Sequence, residues 1–116
     1  MFMSIVVISS EEVKRVLEVK SFYINNLGRR CTIDVLARSA AMSRERFREC
    51  FLIVMGVSFW DYAREVRMQT GYFLLIHSDK PIKEIAFVTG FTSSENFSTA
   101  FRKFFQKTPA EIRRAK

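Results

Sequence analysis

Cysteine, histidine, proline and glycine are all scarce in this chain, and each scarcity closes off a class of protein. Two cysteines in 116 residues are too few for a disulfide framework or a zinc knuckle. Cys50 is spaced to share an apolar helix face with Phe47 and Phe51, so a buried thiol is expected there, suited to a reducing cytosol. The one histidine, His77, leaves no paired metal ligands and no base beside a nucleophile, and the four glycines form no phosphate-cradling loop. No enzymatic activity, cofactor or metal site is therefore expected. The two prolines fall singly, so no proline-rich linker divides the chain. The apolar stretch Met1 to Ile8 is far short of the roughly 20 residues that span a bilayer and lacks the basic start of a signal peptide. It is expected to be a packed or frayed leader, or what remains of a cut from a longer protein, and no membrane partner is expected.

What the chain has in quantity is apolar surface and positive charge. Twelve Phe, three Tyr and one Trp within a hydrophobic content of 48% can supply the core of one compact domain or of two small lobes. Lys and Arg outnumber Asp and Glu by 19 to 12, a net charge of +7. Up to Gly28 the charges balance, with Lys14, Arg15 and Lys20 against Glu11, Glu12 and Glu18. The excess therefore lies from Arg29 onward, and a polyanion is the natural partner.

That basic part repeats itself. Ile33, Leu36, Ala37, Ala41, Met42, Phe47, Cys50 and Phe51 recur in register as Ile82, Ile85, Ala86, Gly90, Phe91, Phe97, Ala100 and Phe101. The second copy adds one turn residue, Thr92, after which Ser43 pairs with Ser93, Glu45 with Glu95 and Ser58 with Thr108. Each copy reads as a helix, a tight turn and a second helix, and two such units in a small basic chain point to double-stranded DNA read at two places.

Periodicity and caps predict an all-α fold of seven helices, two helix-turn-helix lobes joined by a long linker helix. Ser9 and Glu12 form a capping box opening a helix from about Ser10 to Asn26, ended by Gly28. Thr32 caps a short second helix to about Ala40, and Ser43 caps a third that ends at Gly56. A fourth runs from Ser58 to His77 and is broken by Asp79-Lys80-Pro81. A fifth starts with Pro81 in its first turn and reaches about Thr89. Ser93 caps a sixth to about Gln106, and Thr108 with Pro109 opens a seventh. This gives a leader and first helix over 1–28, a first lobe over 29–57, the linker helix over 58–78 and a second lobe over 79–116, one DNA-binding domain in all. At 1.5 Å per residue the linker is a rod of roughly 30 Å, close to the spacing of about 34 Å between major grooves on one face of B-DNA. A monomer can then set two reading helices one turn apart. Gly71 is the weak point of that rod, because glycine inside a helix costs up to about 1 kcal/mol against alanine.

On the third helix, burial of Phe47, Cys50 and Phe51 turns Arg44, Glu45, Arg48 and Glu49 outward, with Arg46 partly to the side. Arg forks onto guanine and Glu accepts from cytosine N4, so these four are candidate base readers; a solvated charged face is the competing reading. On the sixth helix, burial of Phe97, Ala100, Phe101 and Phe104 leaves Ser94, Glu95, Asn96 and Thr99 as candidate readers, with Asn suited to adenine; an ordinary capped helix start competes. Arg102, Lys103, Lys107 and Arg113 are expected to clamp phosphates, joined by Arg46 and by Ser43, Thr92, Ser93 and Ser98 at the helix starts. Trp60 is expected in the core with Phe59 and Tyr62, and His77 at the linker's C-terminal end is expected to stabilise that helix end or to pack.

The run from Thr32 to Arg113 resembles the DNA-binding region of AraC/XylS-type bacterial transcription regulators. The matching pieces are Leu36-Ala37 with Met42-Ser43 and Phe47; Gly56-Val57-Ser58-Phe59 with Tyr62; Arg67 with Leu74-Leu75; Pro81 to Ala86; Gly90-Phe91 with Phe97, Ala100 and Phe101; and Thr108-Pro109 with Arg113. The resemblance implies a cytoplasmic, nucleoid-associated activator whose third and sixth helices enter adjacent major grooves. It also implies contact with RNA polymerase and, as in many members, a sensor domain or effector outside this chain, a smaller group of the family consisting of the binding region alone. Glu49, Gly71, Gln106 and Ile112 depart from residues usual in the family, namely Arg, Ala, Gly and an aromatic. From a different class, a helical protein–protein adaptor regulating another factor is the alternative, separated from the first by salt-sensitive binding to one duplex.

Overall fold

The computed structural model describes residues 7–29 and 31–116; of the leader expected over Met1 to Ile8, Met1 to Val6 lie outside them. Among the described residues there are seven helices and no strand: α1 (Ser10–Ile24), α2 (Ile33–Ser39), α3 (Arg44–Met55), α4 (Phe59–His77), α5 (Ile82–Val88), α6 (Ser94–Phe105) and α7 (Pro109–Arg114). The described residues form two compact units, 7–25 with 31–62 and 26–29 with 63–116.

In the first unit, the Ser9–Glu12 capping box opens α1, which stops at Ile24 with Asn25 as its cap, earlier than the expected Asn26. Its buried stripe is Val16, Val19 and Tyr23, while Leu17, Phe22 and Ile24 stay exposed. These meet Ile33, Leu36 and Ala37 of α2 and the fully buried Phe47, Cys50 and Phe51 of α3. Phe59 is the hub. Its ring lies 5.3 Å from Tyr23, 5.8 Å from Phe47 and 5.3 Å from Phe51, each edge to face, the arrangement aromatic quadrupoles favour. Trp60 is not core as expected but 55% exposed: one residue past Phe59, a helix turns by about 100°, so the neighbour of an inward ring points out.

The second unit packs Met68 and Leu75 of α4, Ile85 and Ala86 of α5, Phe97 and Phe101 of α6 and Ile112 of α7 into one cluster. Phe91 lies edge-on to Phe97 at 5.5 Å. Ala100 and Phe104, expected buried, are half-buried. Pro81 serves as the residue before α5 rather than inside its first turn, its carbonyl accepting from Glu84 and Ile85, whereas Pro109 occupies the start of α7. At Gly90 (φ 94°) a Cβ would sit 2.5 Å from the Leu27 carbonyl oxygen, so only glycine fits.

Candidate nucleic-acid interface

Each unit contains a helix-turn-helix built with the same hydrogen bonds. After α2 the Met42 amide donates to the Ala37 carbonyl at 2.9 Å, and after α5 the Phe91 amide donates to the Ala86 carbonyl at 2.9 Å. The turn residue before each is left-handed, Ala41 with φ 57° in the first and Gly90 in the second. Ser43 then accepts from the Arg46 amide and Ser93 from the Asn96 amide, both at 3.1 Å, satisfying helix-start donors that would otherwise be orphaned. Phe47 and Phe51, and likewise Phe97 and Phe101, bury one side of α3 and α6. The opposite side of each second helix faces solvent.

On α3 the structure exposes Arg44, Glu45, Arg48 and Glu49, but two arginines are engaged. Arg44 makes a bidentate pair with Asp34 of α2, its Nε 2.7 Å from Oδ1, so its fork is occupied. That guanidinium holds the Asp34 carboxyl below its ordinary value. Arg46, expected at a phosphate, instead donates to Glu12 of α1 at 2.7 and 2.8 Å and to the Val7 carbonyl, and lies 3.7 Å from Glu49. The same pair drives Glu12 down to about 2. The reason is geometric: a residue turned partly sideways on α3 meets α1 before it meets solvent. Burial, with Glu12 nearby, pushes the Cys50 thiol up, consistent with an inert packed cysteine.

On α6, Glu95, Asn96 and Thr99 are exposed and Ser94 and Ser98 half-exposed. Asn96 donates one amide N–H to the Thr92 hydroxyl at 3.1 Å. Its second N–H and its carbonyl oxygen remain for a ligand, the donor–acceptor pair that adenine N7 and N6 require. Arg102, Lys103 and Lys107 are exposed. Arg113 is placed elsewhere: its guanidinium donates to the carbonyls of Leu75 at 3.2 Å, Ser78 at 3.1 Å and Leu74 at 3.4 Å, and to that of Lys80. These carbonyls belong to the last turn of α4 and to the residues just after it, so the guanidinium expected at a phosphate is engaged with that helix end. His77 is exposed in the last turn of α4, its ring 4.5 Å from Phe73.

The pairings of Arg44 with Asp34 and of Arg46 with Glu12 were not legible in the sequence, because those acids lie on other helices; only the Arg46–Glu49 pair is an i,i+3 relation that a single helix reveals. Among the described residues, no group of three or more metal-ligating side chains comes together, and no helix is long and apolar enough to cross a membrane.

Comparison with known proteins agrees with this geometry. The helix-turn-helix domain family matches residues 36–115. The transcriptional activator RhaS of Klebsiella pneumoniae is 42% identical over 61 residues, 53% of this chain and 22% of that protein. The DNA-binding domain of AdpA, a global transcriptional factor solved in complex with a target DNA, superposes with a TM-score of 0.82 at 28% identity, over 87% of this chain and 91% of that one. An AraC-type DNA-binding regulator from Chromobacterium violaceum superposes with a TM-score of 0.75 at 27% identity, over 90% and 94%. The chain spans about a quarter of the length of the first curated relatives it matches.

Proposed function

We propose that this chain, which belongs to the AraC/XylS-type family of helix-turn-helix transcription regulators, reads double-stranded DNA with α3 and α6 and activates transcription. The observation that carries the DNA-reading part is the likeness to the AdpA domain, which was solved on its target DNA. In this reading α3 and α6 enter adjacent major grooves, α4 with its 19 residues, about 28 Å of helix, being of the order of one groove repeat. Arg48 forks onto guanine, Glu45 accepts from cytosine, and Asn96 reads adenine. Glu49, Ser94, Glu95 and Thr99 border those contacts, and Arg44 joins them only on leaving Asp34. Ser43, Thr92, Ser93, Ser98, Arg102, Lys103 and Lys107 meet phosphates, which position the protein without specifying sequence.

Activation rests on the family and on the name of the relative RhaS; RNA polymerase is the partner it implies, with a sensor domain or effector supplied outside this chain and the protein held at the nucleoid. Selection of bound duplexes from a random pool, followed by footprinting, tests the reading. The expected footprint is roughly 16 to 20 base pairs, with two contacted segments about one helical turn apart. If about five phosphates are neutralised, log affinity falls with log salt at a slope near −4 to −5. A slope near −1, with no preference for any selected duplex, overturns direct DNA reading and leaves the adaptor alternative.

A further inference from the structure

Residues 52–60 and 102–110 are the same stretch of the repeat, and inside each unit they fold alike. Gly56 and Gln106 both close the second helix of the motif with left-handed backbone, at φ 75° and 61°. Ser58 and Thr108 both accept a hydrogen bond from the amide three residues on. Position by position, the alternation of buried, half-buried and exposed residues is identical. The difference in charge lies at three exposed positions. Where the second unit exposes Arg102, Lys103 and Lys107, the first exposes Leu52, Ile53 and Val57, at 51%, 46% and 44%.

Nothing else on α3 replaces the lost cations. Arg44 is held by Asp34 and Arg46 by Glu12 and Glu49, which leaves Arg48 as the α3 cation outside any ion pair among the described residues. Arg102, Lys103 and Lys107 are in no ion pair among the described residues. An aliphatic side chain neutralises no phosphate and releases no counterion. From these matched positions we infer that the two units divide the work of binding: the second unit carries the phosphate anchor, through Arg102, Lys103 and Lys107, and the first binds its half-site through base edges without an equivalent anchor. This rests on the proposal above that α3 and α6 are both reading helices.

The test uses the full chain on a duplex selected from a random pool, with affinity measured across a salt series. Neutralising the anchor in R102A/K103A/K107A should flatten the log–log salt slope by about 2.7, at roughly 0.9 for each of three phosphates. Truncation of the matched positions in L52A/I53A/V57A should leave the slope unchanged. Grafting the anchor in L52R/I53K/V57K should steepen the slope by a similar 2.7 or so and tighten binding at low salt. All six positions are exposed, so thermal unfolding should be little altered; should the triple graft unfold, Leu52→Arg alone should steepen the slope by about 0.9. A slope that survives neutralisation, or that ignores the graft, overturns the division of labour while leaving DNA reading in place. A parent protein that prefers no duplex and shows a slope near −1 overturns the DNA reading itself.

Discussion

Gly71 of α4 lies against the ring of Phe97 so closely that a Cβ there would come within 2.8 Å of Cε1 and 2.9 Å of Cζ. Phe97 is fully buried and packed against Phe91 and Phe101, so its ring has no open space to swing into. Gly71 is thus the contact surface for the central aromatic of the second unit, so the weak point expected in the linker helix cannot be filled with a methyl group without moving that ring.

Gly71→Ala should therefore destabilise the protein by about 1 to 3 kcal/mol, the usual effect of overpacking a filled core, in spite of the gain in helix propensity of up to about 1 kcal/mol. Thermal or urea unfolding measures it. A variant more stable than the parent would show that the ring yields freely. Pairing it with Phe97→Leu should recover part of the loss, since the two changes share one space.

The helix ends make a second comparison within the chain. Gly56 and Gln106 occupy equivalent left-handed positions, which cost a side-chain-bearing residue on the order of 1 kcal/mol. Gln106→Gly should stabilise by up to about 1 kcal/mol, reduced by loss of the amide's 3.1 Å hydrogen bond to the Lys103 carbonyl. Gly56→Ala, with nothing within 4 Å of the added Cβ, should cost about 1 kcal/mol from the backbone alone. Denaturant midpoints at unchanged slope are the readout, and opposite signs for the two substitutions are the expected result.

The Glu12–Arg46 pair ties the N-terminal capping box to α3 and makes the first unit acid-sensitive. Glu12 titrates at about 2 in the folded protein against an ordinary 4.5, chiefly through its hydrogen bonds from Arg46. A folded value below the unfolded one means that the contribution is fully present above about pH 4.5 and is lost as pH falls toward 2. Glu12→Gln should lower the melting temperature at neutral pH, and the gap from the parent should close between pH 4.5 and 2. The fluorescence of Trp60, the single tryptophan, follows the first unit directly. A constant gap across that range would show that the carboxylate charge contributes nothing.

Much of the fold was legible because the chain states it twice. Caps at Ser9, Thr32, Ser43, Ser93 and Thr108 and the phenylalanine spacing on α3 and α6 name the helix starts and the buried faces without tertiary information. What escaped depends on partners distant in sequence. Nothing near Gly71 announces Phe97, and nothing near Arg113 announces the carbonyls of Leu74, Leu75, Ser78 and Lys80. The pairs Arg44–Asp34 and Arg46–Glu12 escaped because those acids lie on α2 and α1. Trp60 was misplaced for the opposite reason: its neighbours Phe59 and Tyr62 are rightly inward, and helical rotation alone turns it out.

The last prediction separates reading from holding on α6. Asn96 has its amide oriented by Thr92 and its backbone amide held by Ser93, so its remaining donor and acceptor are presented in a fixed plane, as an adenine edge demands. Asn96→Ala should cost about 1 to 3 kcal/mol on the selected duplex and relax preference at one base position. Lys103→Ala should weaken selected and random duplexes alike and reduce the salt slope by about 0.9. Thr92→Val, which keeps the shape of that side chain but removes the acceptor for the Asn96 amide, should relax preference at the same base position as Asn96→Ala, on top of a uniform weakening of all duplexes from the loss of its phosphate contact. Binding titrations against the selected duplex, a duplex altered at the affected position and a random duplex distinguish these outcomes. If Asn96→Ala and Lys103→Ala weaken all three by the same factor, Asn96 holds the backbone and the base reading of α6 falls to Glu95 and Thr99.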